Sequence, residues 1–411
     1  MSKSIATGLL AFAVSSSLLV AQGDKPAGGW SAKPGSGLSY DGGDAFGLKW
    51  SNRLQVHWNF ANNENAADTN SFTVRRARTN LTGHVFNKNI TFALILDGVD
   101  AGAAGDGNIK QAWAQYNFSK NEDGEIGLRA GQAKTMFGYE ATGTSAGLWF
   151  VERSIASRTF ADSFSRGAWI NGRFNGKEMP VRFAIGAMNG DSSRANAGIV
   201  EVGEETANPD NELSYVLAAN VDPMGDFHDG KQTVEGRRQG DWRKDDTALK
   251  GTIGAAVALG NGRTAAGAGG VDVESTSINI NTAWTVNKAS IQGEYFTRTD
   301  EVQATGGDEE EPKGFALSLG YLLDKSGDSS IQWGLGLRYS MVESDAGNNA
   351  AVNFVGAGAA GDLSEISVVI NAFYHGHACK TQIEYTMQDV EPTGGVDTTN
   401  HLLRVGFQVE F

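Results

Sequence analysis

Apolar and polar residues alternate over long stretches of this chain. Between Phe46 and Phe60, seven of the eight even-numbered positions are apolar, whereas the odd-numbered positions include Lys49, Arg53 and His57. Successive side chains of a β-strand point to opposite faces, so this segment has one apolar face and one polar face. About ten residues of a tilted strand cross a bilayer, and strands of soluble sheets are usually shorter than this one. The pattern is therefore typical of a membrane-spanning strand.

The same alternation recurs to the last residue and predicts sixteen strands. They cover about 46–60, 72–86, 90–97, 109–118, 125–133, 167–175, 181–189, 212–221, 248–259, 272–286, 289–299, 314–323, 331–342, 365–375, 379–389 and 401–411. An even number of strands, joined by short turns and long loops in alternation, indicates a closed barrel with its turns on the periplasmic side. We thus predict an all-β fold, a transmembrane antiparallel β-barrel of about 16 strands, with a soluble β-sandwich or β-helix as the alternative.

One connection breaks the alternation of short and long. Residues 222–247 form a long insert on the side of the short turns, and they include a basic stretch at 236–244. We expect this insert to be a solvated periplasmic loop, with contact to cell-wall polymer as the alternative.

The polar face of each strand carries arginines and lysines. With the apolar positions turned towards lipid, parity places the following strand residues in the lumen: Lys49, Arg53, Arg76, Arg78, Arg129 and Arg173. A charge facing lipid near the middle of the membrane costs about 2–4 kcal/mol, which favours inward placement. The wall built by residues 46–185 is net basic, with 16 Lys and Arg against 12 Asp and Glu.

The connection of 33 residues from Lys134 to Arg166 is the longest one on the long-loop side. It carries the basic residues Lys134, Arg153, Arg158 and Arg166, together with many aromatic residues, which favour packing over exposure to water. We expect this third long loop to fold into the lumen and to set the narrowest ring of charge, which governs selectivity in a pore. The alternative is an external loop that packs at a subunit contact.

The N-terminal region is expected to direct export. Residues 1–23 combine an early lysine, an apolar stretch and small residues, as secretory signal peptides do, with cleavage after Ala21 or Gly23. An N-terminal membrane anchor is the alternative. Residues 24–45 are rich in glycine and are predicted to be a flexible periplasmic lead-in, and residues 46–411 are predicted to form the barrel domain.

The composition of the chain argues against several other classes of protein. The single cysteine, Cys379, excludes an internal disulfide, and a formal charge of −14 argues against nucleic acid as a partner. A mean hydropathy of −0.30 and the lack of an internal run of about 20 apolar residues exclude a helical membrane protein. Alternating strands cancel in such an average, so a membrane barrel remains compatible with these values.

The remaining chemical motifs are weak. The stretch from His375 to Cys379 contains potential metal ligands, but it lies at a predicted tight turn without a second cluster of ligands. The acidic run 308–311 is interpreted as a solvated external loop, and divalent cations bridging lipopolysaccharide are the alternative. No serine–histidine–acid arrangement suggests an enzyme. We therefore predict no catalytic activity, no bound metal and no cofactor.

Four short motifs resemble those of the phosphate-selective porin O and P family. They are Arg75–Arg78 in the second strand, Gly131–Gly138 after the fifth, Phe150–Ser154 in the long loop, and Arg166–Gly167 at the sixth strand. The resemblance implies a trimeric outer-membrane porin whose third loop narrows the channel. It places Arg76 and Arg78 in a basic wall, with Lys134 and Arg153 flanking the loop. This chain departs from the family pattern at Met136, where the family commonly has proline, and in having no dense lysine cluster in its later loops.

These observations predict passive diffusion of small hydrophilic solutes, with a preference for anions such as phosphate or other oxyanions. The expected partners are outer-membrane lipid, lipopolysaccharide, small anions and two further copies of the chain in a homotrimer. Two alternatives remain open. One is a general, weakly selective pore for neutral solutes, and the other is a secreted soluble β protein.

Overall fold

The computed structural model describes residues 28–99, 108–161, 164–176, 178–189, 213–243, 246–263, 272–302, 309–325, 329–343, 361–392 and 395–411. The predicted signal peptide, the acidic residue at 308 and most of the external loop segments lie outside these residues. No helix within the described ranges is long and apolar enough to cross a membrane.

Sixteen long strands form the wall of the molecule. They are β3 (Phe46–Asn62), β4 (Thr69–Val85), β5 (Asn87–Asp97), β6 (Asn108–Asn121), β7 (Gly124–Ala133), β8 (Ser165–Phe174), β9 (Val181–Asn189), β10 (Leu213–Val221), β11 (Lys250–Arg263), β12 (Asp272–Val286), β13 (Ala289–Val302), β15 (Lys313–Leu322), β16 (Gln332–Glu343), β17 (Gly361–Phe373), β18 (Cys379–Pro392) and β19 (Thr398–Glu410). Each pairs antiparallel with its neighbours in the chain. A two-residue strand, β14 (Glu309–Glu310), pairs with the end of β13.

The sheet closes on itself between its first and last wall strands. The strand β19 pairs with β3 over ten residues, from His401 opposite Asn62 to Glu410 opposite Arg53. Closure gives every wall strand two hydrogen-bonded neighbours, so no wall strand lies at a free edge of the sheet along its paired length. The predicted antiparallel barrel of sixteen strands is confirmed.

The two faces of the wall differ as the alternation predicts. Outward side chains such as Leu337, Ile370 and Ile383 are 47–48% exposed and form an apolar surface. Inward side chains on the same strands, such as Ser340 and Ser367, are fully buried although they are polar. Because a barrel of this size has room in its lumen, full burial of these polar groups shows that other parts of the chain fill that side of the interior.

The glycine-rich lead-in contains a β-hairpin, contrary to the expectation of a flexible segment. Its strands are β1 (Gly29–Lys33) and β2 (Gly37–Asp41), and β2 pairs with β3 from Leu38 opposite Trp50 to Asp41 opposite Gly47. The strand β19 ends opposite Arg53, and Phe411 after it pairs with Asn52, so β2 continues along the part of the β3 edge that β19 does not reach. Pairing with an otherwise open edge explains why a glycine-rich segment is ordered here.

The outward face can be tested with a charge. Leu337 lies near the middle of β16 on the lipid side, so we expect Leu337→Lys to lower the free energy of unfolding by about 2–4 kcal/mol. Thr82→Lys serves as the control, because Thr82 pairs with Ala93 on the lumen side and is partly exposed. Urea titration of the protein folded in lipid vesicles measures both. Equal stability of the two variants would mean that Leu337 does not face lipid.

Candidate functional site

The loop after β7 crosses the inside of the barrel. Residues 134–161, called the inward loop from here on, contain helix α1 (Tyr139–Thr142), a 3₁₀ helix at Ser145–Gly147 and helix α2 (Ile155–Phe160). All five of its aromatic side chains are buried, which is the packing that its composition predicts. The loop backbone reaches the distant wall, since Ala156 donates a hydrogen bond to the Ser340 hydroxyl at 3.2 Å.

Three glycines of the wall lie beneath the tryptophan of the inward loop. Trp149 lies over Gly320, Gly334 and Gly336, and a Cβ atom added at any of them would come within 2.5–2.9 Å of the indole ring. The Trp149 Nε1–H group donates to the Leu335 carbonyl oxygen at 3.0 Å. These three positions need glycine because the ring occupies the space that a side chain would fill.

Two carboxylates of the wall, one on β13 and one on β18, bind the loop backbone. The Glu294 side chain accepts hydrogen bonds from the N–H groups of Tyr139 and Glu140, at 2.6 and 3.0 Å, at the first turn of α1. The Glu384 side chain accepts one from the Val151 N–H group at 2.7 Å. Both carboxylates are almost fully buried. They fix the course of the loop by satisfying backbone donors that would otherwise be unpaired.

A basic cluster lies between this loop and strands β3 and β4. Its members, whose charges repel one another, are Arg53, Arg76, Arg78, Lys134 and Arg153. Arg53 and Arg78 both donate to the Ser145 hydroxyl, at 3.0 and 3.3 Å. Two carboxylates form ion pairs with the cluster. Glu152 accepts from Arg76 at 3.0 Å and Asp97 accepts from Arg78 at 2.6 Å.

A β-bulge brings two neighbouring arginines to one carboxylate. The pairing of β3 with β4 shifts its register at Gln55, so Arg75 as well as Arg76 reaches Glu152. Burial alone would raise the pKa of the Glu152 carboxyl. The Arg76 and Arg75 guanidinium groups outweigh this effect and hold that pKa well below its usual range.

Lys134 and Arg153 hold the shape of the inward loop. The Lys134 ammonium group donates to the carbonyl oxygens of Ala141 and Gly143, and Arg153 donates to those of Glu140, Ala141 and Gly143. These carbonyls lie at the C-terminal end of α1, where a cation satisfies the unpaired acceptors. Burial and the neighbouring Arg76 outweigh Glu140 and lower the pKa of Arg153 to about 10.

The remaining predicted site residues have varied surroundings. Arg129 pairs with Glu235 at 2.6 Å, Arg173 with Asp226 at 3.1 Å, and Arg158 with Glu365 at 3.3 Å. Lys49 has the lumen parity of Arg53 and is exposed near the short-turn end. Arg166 lies on the outward parity of β8, beside Gln132 at 3.2 Å, because the strand begins at Ser165 and Trp169 and Asn171 take the inward face. The structure therefore does not bring Arg166 into the lumen.

The insert between β10 and β11 also enters the barrel, contrary to the expectation of a solvated loop. Its residues 222–243, called the insert from here on, contact both the wall and the inward loop. Gln239 is the central contact: its N–H group donates to the Gly147 carbonyl, and its side-chain oxygen accepts from the Trp149 N–H group at 2.6 Å. The Gln239 carbonyl oxygen also contacts His377 at 2.8 Å. The insert and the inward loop thus meet inside the lumen.

Buried charges anchor the start of the insert. Asp222 and Asp226 pair with Arg182 of β9, and Asp222 also contacts the His228 Nδ1 atom at 3.2 Å. Burial outweighs Asp222 and lowers the pKa of His228 to about 4, so this ring is neutral at neutral pH. A neutral ring donates from Nδ1 to the carboxylate and accepts at Nε2 from the Tyr139 hydroxyl at 3.1 Å. This contact ties the insert to the inward loop.

Several inward side chains of β4 remain partly exposed in the lumen. The inward side chains of β12 to β18 are largely buried under the loop and the insert, whereas Arg78, Asn80, Thr82 and His84 of β4 are partly exposed. The basic cluster therefore borders the open side of the lumen through Arg78.

Sequence reasoning missed most of the anchors. The inward parity of Glu294 and Glu384 was visible, but nothing local showed that they bind the loop backbone. The potential metal ligands at the turn after β17 lie against the insert, where His377 contacts the Gln239 carbonyl oxygen. The described residues contain no group of three or more histidine, cysteine or acidic side chains that could hold a metal ion.

Comparison with known proteins agrees with this architecture. The family model described as "Phosphate-selective porin O and P" matches residues 51–411. No curated protein sequence matches the chain. Among solved structures, the anion-selective porin from Comamonas acidovorans superposes with a TM-score of 0.54 at 12% identity, covering 89% of this chain and 100% of that one.

Two further solved structures share the fold. The outer membrane channel DcaP of Acinetobacter baumannii gives a TM-score of 0.55 at 11% identity, covering 89% of this chain and 98% of that one. OmpT of Vibrio cholerae gives 0.52 at 13% identity, covering 90% and 99%. Identities this low show a common fold and leave the residues of the lumen to be interpreted from this structure.

The contact between Glu152 and the wall can be broken by one substitution. Glu152→Gln leaves the buried Arg76 without its carboxylate, so we expect the free energy of unfolding to fall by about 3–5 kcal/mol. The lowered pKa sets the pH dependence. The carboxylate stabilises the fold above the unfolded-state pKa of about 4.3, and this contribution is lost as the pH falls through the lower folded-state value.

Urea titrations of parent and variant at neutral and acidic pH measure this difference, which should shrink on acidification. Glu391→Gln is the matched control, because Glu391 is exposed at the other end of the wall from the short turns. A variant as stable as the parent at neutral pH contradicts the role given to the Glu152 carboxylate.

Proposed function

The chain belongs to the phosphate-selective porin O and P family, and on this basis we propose that it lets small hydrophilic anions diffuse across the outer membrane. Its location in the outer membrane and its nature as a channel follow from the family and the barrel. The preference for anions, the residues that produce it and the assembly of the chain are the proposal.

The basic cluster is the observation that carries the proposal. It brings five cationic side chains together, and within the described residues only Glu152 and Asp97 form ion pairs with it. It lies between the inward loop and β4, the strand along which the lumen remains open. Interactions between charges are screened within about 8 Å at physiological salt, so a permeating ion responds to this cluster more than to charges farther away.

Arginine suits the proposed solutes. A guanidinium group offers a planar fork of donors that matches the oxygen atoms of phosphate and other oxyanions. Arg78, the member of the cluster that borders the open side of the lumen, also donates to Asp97 and Ser145, so it can bind an anion only weakly. Arg53 and Arg76 are buried behind it and add positive charge. Weak successive binding allows an ion to leave as well as to enter.

The pairing of the other lumen arginines favours a modest selectivity. Arg129, Arg158 and Arg173 each contact a carboxylate, which offsets their charge for a passing ion. This observation keeps a general, weakly selective pore as the second candidate. The structurally similar porin of Comamonas acidovorans is described as anion-selective, which supports the first candidate.

The assembly and export of the chain are part of the same proposal. We expect a homotrimer in lipid and lipopolysaccharide, since a solved OmpT structure is described as a trimer form. Residues 1–23 are proposed to be the signal peptide. Cross-linking of the purified protein should give a species of three chains, and its N-terminal sequence should begin after Ala21 or Gly23. A purely monomeric product would contradict the proposed trimer.

The neighbouring charges Arg78 and Asp97 allow a test with opposite expected signs. Removing the cation with Arg78→Gln should lower the anion-to-cation permeability ratio about twofold or more, because a unit charge near an ion in water is worth about 1 kcal/mol or less. Asp97→Asn should raise the ratio, because it leaves the guanidinium group unbalanced. The reversal potential across a planar bilayer under a salt gradient measures both.

The double variant Arg78→Gln, Asp97→Asn is the matched control, since it keeps the net charge of the parent. Its permeability ratio should lie near the parental value. A cation preference in the parent channel would overturn the proposed function. Equal permeation of neutral sugars and anions of the same size in liposome swelling would favour the general pore.

A further inference from the structure

The insert lines a half-open cavity at the short-turn end of the lumen. Its volume is about 420 Å³, and its lining includes Phe227, Lys231, Arg237, Arg238 and Trp242. Cavities of this volume are typical binding sites for small organic molecules, and this one combines two aromatic rings with a mainly charged lining. None of the residues predicted from the sequence to line the pore takes part in this cavity.

The acidic side chains of the cavity are already engaged. Asp226 pairs with Arg173 and Arg182, Glu235 pairs with Arg129, and Asp241 pairs with Arg243. The fourth carboxylate, Asp229, is exposed and interacts with Lys231. These acids therefore offset cations other than Arg237.

Arg237 differs from every other arginine of the cavity. Arg238 pairs with Glu410, whereas Arg237 makes no ion pair with any carboxylate in the described part of the chain. Its guanidinium group lies 3.7 Å from the centre of the Phe227 ring, which holds its plane in place. Its Nε atom is buried and donates no hydrogen bond to any of the residues that the structure describes. With no carboxylate and no hydrogen-bond acceptor among the described residues, the guanidinium charge of Arg237 is available to an anion in the cavity that it lines.

We propose that this cavity binds a small organic anion that has a planar apolar body and one carboxylate or similar acidic group. Arg237 would bind the acidic group, and the Trp242 ring would contact the apolar body. Lys231 would add part of its positive charge, because it and its neighbour Asp229 are both exposed to solvent, which weakens their mutual attraction. The volume is much larger than an inorganic oxyanion needs. If the chain is the anion channel proposed above, this site of the insert adds aromatic acids to the anions that it takes.

Trp242 is held firmly enough to serve as a wall of such a site. Its ring meets the Phe373 ring edge to face, with centroids 4.8 Å apart, and its Nε1–H group donates to the Gln239 carbonyl at 2.9 Å. Gln239 is also the residue that joins the insert to the inward loop. The position of the Trp242 ring is therefore set by the wall strand β17 and by the insert itself.

Equilibrium binding to the purified full chain in detergent tests the proposal without requiring transport. Calorimetric titration with benzoate, the probe, should show saturable binding, and inorganic phosphate and the neutral analogue benzyl alcohol should bind at least tenfold more weakly. Arg237→Gln should weaken benzoate binding about tenfold, as expected for the loss of a charge-assisted hydrogen bond. Arg237→Lys, which keeps the charge but loses the planar fork, should fall between the two.

Lys325→Gln is the matched control, because it removes one exposed positive charge from the turn after β15, outside the lumen. Lys231→Gln is a second site variant that leaves the stacking of Arg237 on Phe227 intact, and we expect it to weaken binding about twofold to fivefold. Benzoate binding that is absent, or that is unchanged in both Arg237→Gln and Lys231→Gln, overturns the proposal. A cation-preferring channel that still binds benzoate would overturn only the proposed function.

Discussion

The structure depends on the pairing of backbone N–H and C=O groups in a medium without water. A strand in hydrocarbon must find its hydrogen-bond partners in neighbouring strands, and only a closed sheet supplies two neighbours to all of them. Sixteen strands meet this condition when β19 pairs with β3. Once the sheet is closed, the alternation of side chains turns one set of residues towards lipid and the other towards the lumen.

Charged and polar side chains that face the lumen lose part of their contact with water. Arginines, glutamates and amides of sixteen strands face inward, and the elements that fill the interior desolvate many of them. The structure resolves this by pairing: Arg76 with Glu152 of the inward loop, and Arg182 with Asp222 of the insert. Wall charges thereby hold the inner elements, and only part of the basic charge remains for a passing ion. The same side chains thus hold the inner elements in place and determine how much charge acts on a passing ion.

Local patterns predicted what depends on local sequence. The period of two from Phe46 onward indicated β3 and the inward direction of Arg53, and the aromatic residues of the 134–166 connection indicated that it packs. The predicted start of the sixth wall strand was two residues late, which left Arg166 in a loop when it belongs to the outward face of β8.

Contacts between distant segments could not be predicted in this way. The bond from Gln239 to Gly147 joins residues about ninety positions apart, and the pairing of Arg78 with Asp97 depends on the register of β4 and β5. The sequence of the insert is as polar as that of a solvated loop. The insert can nevertheless be enclosed, because its charged groups have partners on the wall. A sequence shows the charges of such a segment but not the partners that allow it to be enclosed.

The hairpin of β1 and β2 has a consequence for how the barrel is sealed. The first and last wall strands come from opposite ends of the chain, so their junction forms only when more than three hundred intervening residues are in place. Beyond the last residue of β19, the hairpin occupies the exposed border of β3. The N-terminal segment therefore covers the junction, and it prevents a neighbouring molecule from adding a strand to this edge of β3.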